Sequence, residues 1–443
     1  MKNRKVIAYS FIVALGGLLF GLDTAVISGA EKSIQQLFQL TDWWHGFTVA
    51  IALIGTVFGA LMAGWPSEKF GRKKALIAIA ILYGFSALGC ALAPNWITLV
   101  IARFLGGLGI GASSVIGPMY IAEIAPAKIR GRLVALFQFN VVTGILLAFL
   151  SNYFLAGAGD QAWRWMLGVV AIPSFVFLAL LFLIPDSPRW LVKHGHKEVA
   201  KKVLELCGRE NAAAEIAEIE DSLKLHSLTP AESLFSRKYS RPIIYAVLLA
   251  AFNQLSGINA IMYYAPRIFE MTGLAANASL LQSVMIGATN LVFTIIAMFI
   301  IDRFGRRTLL IVGSFGLILF LALVARAFYL NDFDGSSVMW YLVGYIAFFA
   351  FSQGAVIWVF ISEIFPNTVR SKGQTLGSFT HWFGAAAISW TFPAAANNPA
   401  IGGGNAFMFF SVMMFLHLLF AWKIIPETKG KSLEEIQKSL GIQ

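Results

Sequence analysis

Glu68-Lys69-Phe70-Gly71-Arg72-Lys73 and, 302 − 68 = 234 residues later, Asp302-Arg303-Phe304-Gly305-Arg306-Arg307 are two copies of one acid–glycine–base turn, each set between long apolar runs. A second element repeats with them. Ala122-Glu123-Ile124-Ala125-Pro126 is followed by Arg130-Gly131, and Ser362-Glu363-Ile364-Phe365-Pro366 is followed by Arg370, an offset of 363 − 123 = 240. Two different elements recurring at nearly one offset imply a duplication whose halves run in the same direction. The expected organisation is residues 1–184 as a first half, 185–241 as a joining segment and 242–443 as a second half with a short tail.

Outward from these turns the chain is mostly apolar. Of its 443 residues 58% are hydrophobic and 13% charged, against roughly 25% charged in a soluble domain. Runs of about 20 apolar residues, each able to cross a ~30 Å hydrocarbon core as a helix, recur at roughly 7–31, 46–66, 74–94, 96–120, 131–157, 164–184, 242–270, 280–301, 308–330, 338–362, 373–394 and 405–425. Backbone groups in lipid must bond internally, and runs this long do so as helices, since barrel strands are shorter and alternate. The fold class is therefore an all-α membrane protein with twelve transmembrane helices in two six-helix halves.

Lysine and arginine (34) outnumber aspartate and glutamate (23), for a net charge of +11. The excess gathers in Met1–Lys5, the 66–74 loop with Lys69, Arg72, Lys73 and Lys74, the 126–132 loop, the 185–241 segment, Arg303–Arg307, Arg370–Lys372 and the tail. Short cytoplasmic loops carry such an excess. Both termini and the joining segment are thus expected in the cytoplasm of a cell whose inner (plasma) membrane the chain crosses many times, and the charge calls for no nucleic-acid partner. The N-terminal run is too long for a signal peptide and lacks a small-residue cleavage site, so it reads as the first span. Apolar residues at helical spacing over His196–Leu206 and Ala213–Leu225 predict short amphipathic helices in the joining segment.

Cys90 and Cys207 indicate neither a disulfide nor a metal site. No cluster of His, Asp, Glu or Cys has ligand or acid–base spacing, so an enzyme and a cofactor are both disfavoured. About 18 residues follow the last run, too few for a signalling domain.

A charged group inside a span costs about 2.5–3.5 kcal/mol on insertion scales, so each one needs a reason. Asp23 lies deep in the first span and Arg103 in the fourth. If the helices touch, arginine compensates an ionised Asp23, and protonation breaks the pair and changes the preferred packing. A permanent structural ion pair is the other reading. The seventh span reads Phe252-Asn253-Gln254-Leu255-Ser256-Gly257-Ile258-Asn259 and then Tyr263-Tyr264-Ala265-Pro266, with Gly257 and Pro266 weakening the helix on either side of carboxamides. Carboxamides donate and accept hydrogen bonds without charge, as sugar hydroxyls require. Gln138, Asn290, Gln353, Trp358, His381 and Trp382 add polar or aromatic groups in other spans; a tryptophan face can stack on a pyranose. Tyr263 and Tyr264, together with Glu123 with Arg130, Glu363 with Arg370, and the turns of Arg72 and Arg306, are candidates for gating contacts that form and open.

These residues make the chain resemble the sugar porter branch of the major facilitator superfamily, which includes facilitative glucose carriers and bacterial proton-linked xylose and glucose carriers. The resemblance runs over nearly the whole chain: Gly-Leu-Asp-Thr-Ala-Val-Ile-Ser-Gly at 21–29, Gly-Arg-Lys at 71–73, Pro-Met-Tyr-Ile-Ala-Glu-Ile-Ala-Pro at 118–126, Ile-Arg-Gly at 129–131, Pro-Asp-Ser-Pro-Arg-Trp-Leu at 185–191, Gln-Leu-Ser-Gly-Ile-Asn at 254–259, Asp-Arg-Phe-Gly-Arg-Arg at 302–307 and Pro-Glu-Thr-Lys-Gly at 426–430. It implies a bundle that rocks between outward-open and inward-open states, with family sugar contacts at Gln138, Gln254, Asn259, Asn290 and Trp358. It also implies a proton-coupling role for an aspartate at the place of Asp23 beside an arginine like Arg103, where uniporting relatives usually have asparagine. The chain departs from the pattern at Asn253, where a glutamine is usual, at Gln353 and Ala355, and at His381, commonly Gln or Asn. The expectation is a proton-coupled monosaccharide symporter, for hexose or pentose, functional as a monomer in the bilayer, with a facilitative uniporter as the alternative.

Overall fold

The computed structural model describes residues 4–209, 211–228, 232–333, 336–431 and 433–442; Lys2 of the basic N-terminal run lies outside them. Among the described residues there are helices and no strands. Eleven helices are long and apolar enough to cross a membrane: α1 (Arg4–Leu37), α2 (Asp42–Met62), α3 (Arg72–Ala91), α4 (Trp96–Ile124), α5 (Ala127–Leu155), α6 (Gly159–Leu181), α7 (Arg237–Met271), α8 (Ala276–Phe304), α9 (Arg306–Leu330), α10 (Ser337–Ile364) and α12 (Gly402–Lys423). The twelfth expected span is α11 (Arg370–Asn397). It is long enough, but Arg370, Lys372, Gln374, Thr375, Ser378, Thr380 and His381 make its first half less apolar than its neighbours.

Three of these helices are interrupted: α6 between Gly168 and Ala171, α7, and α10. In α7 the first segment ends at Leu255, and Gly257 takes φ 82°, a left-handed conformation that a side chain would resist. Pro266 adds a kink, with Tyr264 at φ −116° and ψ 18°, because proline lacks the N–H and its ring clashes with the carbonyl four residues back. The break therefore falls inside the carboxamide cluster, between Gln254 and Asn259, and not at its edge. In α10 the break is at Ser352, φ −111° and ψ −93°, immediately before Gln353; no proline marks it, and the nearest glycine is Gly354, two residues on.

Close packing divides the chain into two units. The first comprises the residues up to Asp23, Gly55–Ile145 and Leu167–Glu232. In it α3 packs on α4 and on the second part of α6. The joining segment forms helices at Pro188–Lys193, Lys197–Leu206 and Ala212–Leu228, close to the amphipathic stretches expected. They are docked: Ala200, Val203 and Leu204 are buried, Trp190 Nε1 donates to Glu68 O at 2.8 Å and Arg209 Nη2 to Ala125 O at 2.8 Å. Burial pushes the Cys207 thiol up to about 11, so it is not a nucleophile at neutral pH.

The second unit comprises Thr24–Ile54, Leu146–Met166 and Ser233 onward. Its core includes Ala246, Leu249, Ile357, Phe360, Phe365 and Phe420. The division cuts α1, α2, α5 and α6, so the ends of those helices away from the basic turns belong to the second unit. On the surface Phe85, Phe154 and Phe299 are more than two-thirds exposed. Left in water, each would forgo roughly 1.5–3 kcal/mol of burial; in lipid it forgoes nothing.

Candidate functional site

Asp23 stands just past the middle of α1, 4% exposed, and Arg103 in α4 is 1% exposed. Their nearest charged atoms, Oδ1 and Nη1, are 3.6 Å apart. Arg103 Nη1 also donates to the Asp23 carbonyl oxygen, at a long 3.4 Å. Asp23 Oδ2 and Arg103 Nε and Nη2 have no partner. Gly106 lets α3 approach α4 beside the pair, since a Cβ on it would lie 2.4 Å from Ser86 Oγ. Asp23 and Arg103 do bring α1 and α4 together, as the coupling reading requires, and the pair is loose. Each partner keeps hydrogen-bonding capacity that the fold does not fill, so a proton on the carboxylate removes the charge that holds Arg103 without disrupting other bonds.

The carboxamides of α7 meet His381 of α11 in one network. Gln254 Nε2 donates to Asn253 Oδ1 at 2.9 Å and lies 3.1 Å from His381 Nδ1, while Asn259 Nδ2 donates to Gln254 Oε1 at 2.5 Å. The ring of Trp358 rests against His381 at 4.8 Å, and that of Trp382 lies edge-on to it at 4.8 Å. Trp358 is 37% exposed and Asn259 partly so. They offer an aromatic face and an amide to a ligand, while Gln254 is itself buried and bonded to Asn253, His381 and Asn259.

Not every carboxamide faces this way. Asn253 is buried and donates from Nδ2 to Gln353 O at 3.3 Å. Gln353 is also buried, and its Nε2 points to Met414 Sδ at 3.1 Å and His417 Nδ1 at 3.2 Å. Both brace the network from inside the protein. Asn290 on α8 is half-buried and makes no hydrogen bond to the cluster; Gln138, in the first unit on α5, has its side chain exposed.

The repeated turns build the same structure twice. Arg72 donates to Glu123 from Nε and Nη2, each at 3.0 Å, and to Glu68 at 2.8 Å. Arg306 donates to Glu363 at 2.9 Å and to Asp302 at 2.9 Å. Glu123 and Glu363 thus pair with the turn arginines and not with Arg130 and Arg370. Those two instead donate from Nε to the carbonyls of Ala125 and Phe365, each at 3.4 Å, because Pro126 and Pro366 end the preceding helices and turn the chain back. A third carboxylate closes each turn: Asp186 accepts from Arg72 N at 2.9 Å, and Glu427 from Arg306 N at 2.9 Å and Arg307 N at 3.1 Å. These acids satisfy free N–H groups at the starts of α3 and α9. They stand 427 − 186 = 241 residues apart, a third member of the repeat that the motifs at 185–191 and 426–430 contained unrecognised.

Tyr263 and Tyr264 are buried, and Tyr264 donates from its hydroxyl to Ser389 O at 2.9 Å. One turn on, the second unit holds a cluster that the sequence reading missed. Glu31 of α1, 1% exposed, accepts from Arg267 Nε of α7 at 2.9 Å and lies 2.8 Å from its Nη2. His45 of α2, fully buried, places Nε2 2.6 Å from Glu31 Oε2 at an angle off the hydrogen-bond axis. Both residues sit where the apolar runs were taken to begin or end, and charge is unremarkable at a span boundary. The signal was available in the length of the run, since α1 extends to Leu37. Among the described residues no group of three or more His, Cys, Asp or Glu side chains is placed to hold a metal ion.

Residues 9–440 match the family model described as "Sugar (and other) transporter". The chain is 38% identical to the arabinose-proton symporter of Bacillus subtilis over 440 residues, covering 98% of this chain and 94% of that one. It is 37% identical to the D-xylose-proton symporter of Escherichia coli K12 over 473 residues, covering 98% and 96%. The solved inward-open conformation of the xylose transporter XylE from E. coli superposes with a TM-score of 0.86 at 36% identity, covering 98% of this chain and 99% of that one.

Proposed function

This chain belongs to the sugar transporter family and has the major facilitator fold, and on that premise we propose that it is a proton-coupled symporter of a monosaccharide, a pentose or hexose, working by alternating access. The observation that carries the reading is the buried Asp23 with a single guanidinium at 3.6 Å and an unpartnered carboxylate oxygen. An acid held that loosely exchanges a proton for a change of helix packing. Relatives named as arabinose–proton and D-xylose–proton symporters support the same substrate pair.

Sugar is held by neutral groups. Gln254, Asn259 and His381 supply hydrogen bonds, Trp358 and Trp382 supply apolar ring surface, and Asn253 and Gln353 keep the amides oriented. Gln138 and Asn290 are assigned as further sugar contacts on the family pattern. The two-half organisation, 1–184 and 242–443 joined by 185–241, supplies the moving parts. The bonds of Arg72, Glu123 and Arg130 and of Arg306, Glu363 and Arg370 act as gating contacts on the cytoplasmic side, and Tyr263 and Tyr264 at the kink of α7. The basic turns, the joining segment and both termini face the cytoplasm, in the inner (plasma) membrane, on the positive-inside rule. One chain carries a complete set of these parts, so a monomer suffices.

The test is uptake by purified protein in liposomes carrying a pH gradient, with radiolabelled xylose, arabinose, galactose and glucose. Accumulation above the outside concentration, accompanied by sugar-dependent proton entry, is expected. Equilibration without accumulation leaves a uniporter, and no uptake of any of the four removes the monosaccharide.

A further inference from the structure

Symport at Asp23 leaves the Glu31–His45–Arg267 cluster unexplained. It buries an acid and a base completely and joins three helices, α1, α2 and α7. His45 Nε2 stands 2.6 Å from Glu31 Oε2 off the hydrogen-bond axis, and neither atom has a hydrogen-bond partner; an imidazole with its proton on Nε2 relieves the repulsion between their lone pairs. His45 Nδ1 is buried with no partner.

The charges add up in one way. Glu31 is negative and Arg267 positive, with two of the three guanidinium nitrogens engaged: Nε on Oε1, and Nη2 near Oε2 and donating to Gln35 Oε1 at 2.5 Å. A neutral imidazole completes a neutral cluster, whereas an imidazolium would leave one excess charge in a buried place. The other charged and titratable groups facing it are few. Lys32 of α1 pairs with Glu270 of α7, Asp42 of α2 accepts from Gln35 and Asn397, and the Tyr264 ring stands 6.0 Å from that of His45. From α11 come Ser389, Trp390 and Asn397, none of which titrates. A cavity of about 360 Å³ lined by Lys32, Gln35, Gln36, Arg267, Glu270 and Asn397 opens beside the cluster, so water reaches the arginine.

We propose that His45 and Glu31 form a second proton-binding site, on the outer side of the membrane, that fills when Arg267 withdraws. The proton and the guanidinium are alternative counter-charges for one buried carboxylate. With Arg267 in place the carboxylate is neutralised and Nδ1 stays bare. When the outer end of α7 moves away the carboxylate has only His45 left, and a proton taken onto Nδ1 makes the imidazolium that replaces the arginine. Opening therefore binds a proton and closing expels it. External acid favours the open outer face, by up to about tenfold in the opening equilibrium per pH unit over the window where the two states differ in proton binding.

The inference rests on the alternating-access reading and is tested apart from sugar coupling. Spin labels on Gln36→Cys and Asn397→Cys, at the mouth of the cavity, report the width of the outer face of the full chain in lipid nanodiscs between pH 8 and 5.5. The measurement is made in an Asp23→Asn background so that the other acid is silent. Widening with acid is expected to persist there and to be flattened by His45→Gln, which keeps a donor toward Glu31 but takes no proton, and by Glu31→Gln. A flat profile in Asp23→Asn alone, or one that His45→Gln leaves unchanged, overturns the proposal. His45→Gln decides alone if Glu31→Gln does not fold. Accumulation of sugar is scored separately, so a failure of proton coupling at Asp23 is recognised as such.

Discussion

Asp23 and Glu31 lie on one helix, 31 − 23 = 8 residues apart, and both are at most 4% exposed. Their partners differ in kind. Glu31 faces one edge of a guanidinium, with Nε donating to one oxygen at 2.9 Å and Nη2 2.8 Å from the other, and an imidazole stands beside it. Asp23 has one guanidinium at 3.6 Å and an oxygen with no hydrogen-bond partner. A bidentate arginine fixes a carboxylate's charge and geometry together, whereas a long single contact fixes neither. The same residue chemistry therefore makes a latch in one place and an exchangeable site in the other, and the difference lies in how many donors the neighbouring helices bring.

The largest effect expected from that difference is on stability. Arg267→Met, measured at pH 8 where protonation of His45 is not available to replace the guanidinium, leaves Glu31 as an uncompensated buried anion, which costs about 3–5 kcal/mol when one partner of a buried pair is removed. Arg103→Met should cost clearly less, because Asp23 loses a longer bond and can take a proton instead. The Glu31→Gln/Arg267→Met double variant should recover much of the loss. Thermal unfolding in detergent measures all four proteins. The comparison breaks if Arg103→Met is as damaging as Arg267→Met.

Next comes coupling. A proton moving down 100 mV supplies about 2.3 kcal/mol, which at 1.4 kcal/mol per tenfold supports roughly 40-fold sugar accumulation. Asp23→Asn cannot exchange the proton, so accumulation in energised liposomes should fall to about equality across the membrane, while counterflow of labelled against unlabelled sugar continues. Persistent accumulation would assign the coupling proton elsewhere, and the Glu31–His45 site would be the first to examine.

How much of this was legible follows the same physics. The spans, the repeated turns, helices near His196–Leu206 and Ala213–Leu225 and the pairing of Asp23 with Arg103 came from hydropathy, periodicity and the cost of a charge in lipid, which are local properties of the chain. The partner of Glu123 did not. Arg130 is nearer in sequence, but Arg72 reaches it through tertiary packing. Glu31 and His45 were hidden by the blurred ends of hydropathy windows, and the break at Ser352 because its residues would serve equally well in an unbroken helix. Gln353 read as a sugar ligand, and its rotation toward His417 depends on that break.

The carboxylates at the turns give a smaller effect. Asp186→Ala removes the acceptor for the first N–H groups of α3, and Glu427→Ala does the same for α9. Loss of such a cap costs typically about 1 kcal/mol. Because the two turns are copies, the two losses should agree within a few tenths and add in the double variant, since they lie in different packing units. Thermal midpoints of the three variants decide it. A large inequality would mean that one copy has acquired a second role.

The smallest effect belongs to Glu68, which bonds to Arg72 and Lys193 much as Glu31 bonds to its partners, yet has 43% of its side chain exposed. Burial works to raise its carboxyl, and the bonds from Lys193 and Arg72 outweigh that and hold it below the usual carboxylate value. A depressed folded value stabilises the protein above the unfolded pKa, and that contribution fades as pH falls through the folded value. Exposure keeps it below about 1 kcal/mol. Glu68→Gln should therefore lower the unfolding midpoint slightly at pH 7 in low salt, and not at all in strong acid or near 1 M salt, where the screening length is about 3 Å. Arg267→Met should keep its full effect in 1 M salt, because ions do not reach Glu31. If salt erased both effects equally, burial would not be what separates the latch from the surface pair.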